Sequence, residues 1–161
     1  MACAIRLILM HKLEYWIPME IEDDNYTLCI KDLHVYFNLI SGQVRAVNGL
    51  NLYVRPGESV GIGGETGCGK SVAMKAVMGL LPPEARIPRG EILYQYADGR
   101  VVDMVGLKNQ SAELLQIRRK GMSMIFQEPS ASLSPLHTVY QQMQEAIDGR
   151  EKMNRKQRTA E

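Results

Sequence analysis

The residues with the clearest chemical potential form one short run, GETGCGKS, from Gly64 to Ser71. The run fits the pattern G-x-x-x-x-G-K-[ST], in which a glycine-rich loop surrounds phosphate groups. Its glycines allow left-handed backbone angles, so that successive N–H groups can turn toward an anion. The pattern therefore predicts a loop that binds the phosphates of a nucleoside triphosphate.

Two side chains of this loop have predicted chemical roles. Lys70 supplies a positive charge for the β- and γ-phosphates, and the Ser71 hydroxyl is the expected Mg²⁺ ligand. Cys68 is interpreted as a spacer rather than as a redox switch. The dinucleotide fingerprint G-x-G-x-x-G does not fit this stretch. The loop and the first turn of the next helix make up the predicted cofactor-binding set: Gly64, Glu65, Thr66, Gly67, Cys68, Gly69, Lys70, Ser71 and Val72.

A strand and a helix must hold such a loop in place. Residues 59–63 (SVGIG) predict a short buried strand directly before it, and residues 71–81 have helical periodicity that Pro82 and Pro83 end. The rest of the chain predicts an antiparallel β layer upstream and mixed elements downstream. Predicted strands cover residues 26–37, 45–54, 91–96, 101–105 and 122–126, and predicted helices cover residues 111–118 and 138–147.

Composition excludes several classes of protein. The length of 161 residues is that of about one domain, and 19 basic against 18 acidic residues give a net charge of +1. This balance gives no reason to expect binding to nucleic acid. Three cysteines without a CxxC pair argue against a disulfide framework or a cysteine-rich zinc site, and favour a reducing compartment.

The first residues differ from those that follow. Residues 1–18 mix Met, Leu and Ile with no clear period, and residues 1–25 are assigned as an N-terminal extension. Two interpretations stay open: the natural start is Met19 and the first 18 residues are a mis-called extension, or they form a genuine N-terminal arm.

A second motif supports a family resemblance. Phe126-Gln127-Glu128-Pro129 follows the predicted strand 122–126, where a glutamine could reach Mg²⁺ or an attacking water. Together with the phosphate loop, this order of features resembles the N-terminal part of an ABC transporter ATPase, with FQEP matching its Q-loop. The strings MIFQEPSASLSP (residues 124–135), RAVN (residues 45–48) and VGIGGETGCGKS (residues 60–71) are similar to the oligopeptide/dipeptide branch. The resemblance covers residues 27–161.

The resemblance implies a fold and further site residues. The implied fold is α/β, a P-loop NTPase of the ABC ATPase type with an antiparallel β subdomain, covering residues 26–161 and truncated within the helical subdomain. Phe37 matches the aromatic position that stacks on adenine, with Tyr36 as the neighbouring alternative. Gln127 would contact Mg²⁺ and water as a metal-binding and catalytic residue, alongside Lys70 as the second catalytic residue.

The resemblance also implies partners, cofactors and a location. ATP and Mg²⁺ are the implied cofactors. In the family, such a subunit pairs with a second ABC ATPase subunit, identical or different, and docks on transmembrane permease subunits at the cytoplasmic face of the membrane. A solute-binding protein takes part indirectly. Hydrolysis then powers the uptake of peptides or similar small solutes.

Several family motifs are missing from the 161 residues. The sequence contains no LSGGQ signature, no Walker B aspartate with an adjacent glutamate, and no histidine at the switch position. Little hydrolysis is therefore expected from this chain alone. The alternative to an importer subunit is a truncated, non-hydrolysing nucleotide-binding module.

Overall fold

The computed structural model of the chain describes residues 5–10, 25–108, 110–128 and 133–150. Three features of the sequence lie outside the described residues: Met19, Pro129 of the FQEP motif, and the polar stretch 151–161. The described elements, in chain order, are β1 (Ile5–Met10), β2 (Leu28–Leu39), β3 (Gly42–Val54), β4 (Ser59–Gly64), α1 (Lys70–Val77), β5 (Ala85–Gln95), β6 (Val101–Asp103), α2 (Ala112–Gln116), a π-helical turn (Ile117–Gly121) and α3 (Val139–Arg150).

The chain divides into two compact units, Met1–Leu114 and Leu115–Glu161. The first unit holds the six strands among the described residues, together with α1. The second holds the π-helical turn and α3, which contact each other. The described residues include no helix that is both long and apolar enough to cross a membrane.

Four strands of the first unit form an antiparallel sheet in the order β3-β2-β5-β6. Residues on one face of the central strand β2 are completely buried, among them Leu33 and Val35, while the residues between and beyond them are partly exposed. This alternation is what a strand with one face on a core requires. Helix α1 lies against β2 and β3, and buries Ala73, Ala76 and Val77. The predicted fold class, α/β with an antiparallel β layer, is confirmed.

The strand before the phosphate loop belongs to a different sheet. β4 pairs in parallel with β1, from Ile5 opposite Ser59 to Met10 opposite Gly64. The sequence predicted β4 but not its partner, because residues 1–18 show no alternating pattern. The N-terminal segment thus contributes a strand beside the loop.

Helix α1 is shorter than predicted. It ends at Val77 rather than near residue 81, because Gly79 adopts φ 62° and closes the last turn. The Gly79 N–H donates to the Ala76 carbonyl at 2.9 Å, and the Leu80 N–H donates to the Lys75 carbonyl at 2.8 Å. This pair of bonds is a Schellman motif, which ends helices at a left-handed glycine.

The predicted strand at residues 122–126 is wrong. These residues have no regular secondary structure and pair with no strand among the described residues. Ile125 is 88% exposed and Phe126 is 44% exposed. A strand needs a ladder partner to satisfy its N–H and C=O groups, so an apolar run of strand formers is not sufficient by itself.

The last predicted helix is present as α3, and its start follows from a reciprocal cap. The Gln141 N–H donates to the Thr138 hydroxyl at 3.2 Å, and the Thr138 N–H donates to the Gln141 side-chain oxygen at 2.9 Å. This capping box satisfies two N–H groups at the helix start. The predicted helix began at residue 138, which is the capping residue.

Candidate phosphate-binding site

The predicted phosphate loop joins β4 to α1. β4 ends at Gly64 and α1 begins at Lys70, with its first intrahelical bond from the Ala73 N–H to the Gly69 carbonyl at 2.9 Å. The N–H groups of a first helical turn have no carbonyl partner within the helix, and the helix dipole favours an anion there. No acidic residue stands in the first turn of α1 to occupy that position. The loop therefore opens onto a helix end that favours phosphate.

The end of the loop is pressed against β3. Gly69 has φ 98°, and a Cβ added to it would lie 2.2 Å from the carbonyl oxygen of Ala46. The pairing of β2 with β3 runs from Val35 opposite Val47 to Tyr36 opposite Arg45 and skips Ala46. This irregularity in β3 places a backbone carbonyl against the loop, so only glycine fits at position 69.

The middle of the loop is open. Gly67 has φ 85°, and a Cβ added to it would meet no atom within 4 Å. Here the glycine is needed for its backbone angle rather than for space. Side chains along the loop leave this surface accessible, since Glu65, Thr66 and Ser71 are exposed and Val72 is half-buried.

Lys70 folds back over its own loop. Its ammonium group donates to the carbonyls of Gly64 at 2.6 Å and Glu65 at 2.7 Å, and its Nζ lies 3.3 Å from the sulfur of Cys68. Three donors thus meet three acceptors at the mouth of the loop. These residues fit a triphosphate because the cation already sits among oxygen acceptors that phosphate oxygens can replace.

The two candidate adenine-stacking residues lie in the same strand but in different surroundings. Phe37 continues the alternation of the buried residues Leu33 and Val35, and it pairs with Val44 of β3. Ala46, which touches the loop, is two residues along β3 from Val44. Phe37 therefore lies in the part of the sheet that meets the loop.

Tyr36 is engaged elsewhere. Its hydroxyl lies 3.3 Å from Nδ1 of His34, and the Arg45 guanidinium lies 5.4 Å from the centre of its ring. Successive strand residues point to opposite faces, so Tyr36 does not share the face of Phe37. This geometry favours Phe37 over Tyr36 as the residue that could stack on a base.

Gln127 lies in the second unit, Leu115–Glu161, and its side chain is exposed. It follows the irregular stretch 122–126 rather than a strand. Its predicted contacts with Mg²⁺ and water therefore stay a prediction, as do the roles of Lys70 and Ser71.

Two parts of the site were missed by sequence reasoning. One is Ala46, whose carbonyl lies against the loop at Gly69; the sequence analysis included Ala46 in the RAVN string but assigned it no contact with the loop. The other is β1, which pairs with the strand leading into the loop. Its sequence, IRLILM, contains two isoleucines, which favour strands, but nothing in the sequence indicates the partner.

Comparison with known proteins supports the resemblance to ABC transporter ATPases. Residues 47–161 match the family described as ABC transporter. The chain is 40% identical over 130 residues to the dipeptide transport ATP-binding protein DppD of Bacillus subtilis (strain 168), covering 80% of this chain and 37% of that protein. It is 39% identical over 131 residues to the oligopeptide transport ATP-binding protein OppD of Escherichia coli (strain K12), covering 81% of this chain and 36% of that protein. The matched region thus spans little more than a third of the length of these relatives.

Proposed function

Because the chain belongs to the ABC transporter family, we propose that it binds MgATP through residues 64–71 as the N-terminal part of an importer's ATP-binding subunit. The observation that carries this proposal is the loop between β4 and α1, with Lys70 held at its mouth by the carbonyls of Gly64 and Glu65. Nucleotide binding then replaces these carbonyls with phosphate oxygens. Charge-assisted hydrogen bonds of this kind are the strong ones in proteins.

Each residue of the proposed site has a distinct task. The backbone N–H groups of the loop and of the first turn of α1 hold the phosphates, and Lys70 neutralises their charge. The Ser71 hydroxyl, exposed at the start of α1, would hold Mg²⁺, which supplies charge neutralisation between the phosphates. Phe37 would stack on adenine, and Gln127 would contact Mg²⁺ and water, as its match to the Q-loop implies.

The transport role rests on the relatives. Two of them are named as ATP-binding proteins of dipeptide and oligopeptide transport. We propose that this chain serves the uptake of peptides or similar solutes, paired with a second ATPase subunit on a permease at the cytoplasmic face of the membrane. A solute-binding protein would choose the cargo.

Calorimetric titration with ATP and Mg²⁺ tests the binding proposal. Lys70→Ala should weaken ATP binding by about 100-fold, because it removes charge-assisted bonds worth about 1.5–3 kcal/mol each. Lys75→Ala is the matched control, since Lys75 is an exposed lysine in the last turn of the same helix. Equal affinities for the two variants would refute the role of the loop.

Uptake of a labelled dipeptide by the native host cells tests the transport proposal. Lys70→Ala should abolish uptake while Lys75→Ala leaves it unchanged. If cells that carry Lys70→Ala take up the dipeptide normally although the purified variant no longer binds ATP, the importer role is excluded. The binding proposal is unaffected by that result.

A further inference from the structure

The strand that leads into the phosphate loop has one sheet partner among the described residues, and that partner is β1. The ladder covers the whole of both strands, from Ile5 opposite Ser59 to Met10 opposite Gly64. Met10 is therefore the register partner of the first residue of the loop. The pairing ends where the loop begins.

β4 is poorly equipped to keep its shape alone. Its sequence is SVGIGG, and glycine inside a strand costs backbone entropy and supplies no side chain to pack. The register sets Leu7 opposite Gly61 and Leu9 opposite Gly63. These two glycines of β4 are thus each paired with a leucine of β1, a residue type with a greater strand preference than glycine.

The last residue of β4 in this ladder is also the first residue of the proposed site. The Gly64 carbonyl accepts a 2.6 Å hydrogen bond from Lys70. At its other end the loop is held by the contact between Gly69 and the Ala46 carbonyl. β1 therefore supports one base of the loop, and β3 supports the other.

We propose that β1 is a positioning element of the nucleotide site: its parallel pairing with β4 orders Gly64 and thereby presets the loop for phosphate. This inference rests on the proposed function, since it assigns the N-terminal segment to the same site. The loop with β1 in place binds ATP without first having to be ordered, and preorganisation of this kind raises affinity. The N-terminal arm is then a working part of the nucleotide-binding fold rather than a dispensable extension.

Proline substitutions in the full chain, with any purification tag at the C-terminus, test this proposal. In a parallel strand, every second backbone N–H donates to a given neighbouring strand. Proline removes an N–H, so one of the two adjacent variants Leu7→Pro and Ile8→Pro must lose a hydrogen bond to β4. Leu7→Val and Ile8→Val are the matched controls, because valine keeps the N–H and favours strands. A chain that starts at Met19 removes β1 altogether and carries the test if the proline variants do not fold.

Two readouts are needed. Hydrogen exchange of the amides in residues 59–64 should speed up by about tenfold in at least one proline variant and in the shortened chain, and stay unchanged in the valine controls. The Kd for MgATP should rise by about tenfold in the same proteins. Val102→Ala in β6 provides a destabilised control, since this half-buried residue pairs with Tyr94 away from β4.

The outcomes separate the possibilities. Unchanged exchange in residues 59–64 would show that β1 does not pair with β4, and unchanged ATP affinity despite faster exchange would show that the pairing does not position the loop; either overturns the proposal. An equal loss of affinity in Val102→Ala would also overturn it, because general destabilisation would then suffice. If the unaltered chain binds no ATP, the proposed function and the positioning role both fail, while the exchange data still decide the pairing.

Discussion

Replacement of Gly69 by alanine should destabilise the fold more than the same change at Gly57 or Gly67, two glycines that also have positive φ. A residue with a Cβ at φ 98° costs about 1–2 kcal/mol in backbone strain. The added Cβ would also lie 2.2 Å from the Ala46 oxygen and 3.3 Å from its carbonyl carbon, and relief of such overpacking costs about 1–3 kcal/mol. The sum is about 2–5 kcal/mol.

Two other glycines isolate the effect of the contact. Gly57 and Gly67 have φ 73° and 85°, and a Cβ added to either meets nothing within 4 Å. Alanine there should cost only the backbone strain of about 1–2 kcal/mol. The difference of about 1–3 kcal/mol between Gly69→Ala and these controls is the cost of pushing the loop away from β3.

Urea denaturation followed by circular dichroism measures these free energies of unfolding. Ala46→Gly combined with Gly69→Ala should not restore stability, because the contact is with a backbone oxygen that glycine retains. ATP binding should weaken in Gly69→Ala as the loop is displaced. The reasoning is refuted if Gly69→Ala loses no more stability than Gly57→Ala, or if truncation of the Ala46 side chain rescues it.

Two further predictions concern the base and the pH. Phe37→Ala should raise the Kd for ATP by about 5- to 150-fold, since base stacking on an aromatic ring is worth about 1–3 kcal/mol. Tyr36→Ala should leave this Kd unchanged, and neither variant should alter the binding of tripolyphosphate, which has no base, in calorimetry. A loss of ATP affinity in Tyr36→Ala but not in Phe37→Ala would assign the stacking to Tyr36. Burial, reinforced by Glu91 and opposed by Lys31, raises the pKa of the Cys29 thiol above its ordinary value of 9.0, so this thiol contributes stability that is complete below pH 9.0 and is lost as the pH rises through the folded-state pKa. The melting temperature should fall across that alkaline range, and Cys29→Ala should reduce the slope; an identical slope in the variant would contradict the assignment.

Local signals account for the parts of the structure that the sequence predicted. The phosphate loop, the short strand before it and the helix after it are all encoded within residues 59–77, where glycine spacing and helical periodicity adjoin. The N-terminus of α3 was predictable because Thr138 caps a backbone N–H only three residues further along the chain, that of Gln141. The family assignment rested on strings of contiguous residues and was confirmed.

Long-range pairing accounts for what the sequence did not reveal. β1 and β4 are separated by the entire β2–β3 hairpin, and a parallel pair has no turn to indicate its register. β5 begins at Ala85, six residues before its predicted start. Pro88 argued against a strand in this segment, but the segment pairs with β2 in the structure. The run at residues 122–126 shows the converse, since strand-forming residues stay irregular without a partner.

Two distant segments, β1 and β3, lie beside the phosphate loop, although its own motif occupies eight residues. β4 leads into it with β1 paired alongside, β3 presents the Ala46 carbonyl to Gly69, and α1 supplies the helix end that favours an anion. The ammonium of Lys70 bonds the Gly64 carbonyl at 2.6 Å, so the cation is tied to the residue where the β1 ladder ends. On the positioning proposal, a disruption of β1 or of the contact with β3 should alter where Lys70 and the loop N–H groups point before a phosphate arrives. Affinity for nucleotide should consequently respond to proline substitutions in β1, a strand that belongs to no phosphate-binding motif.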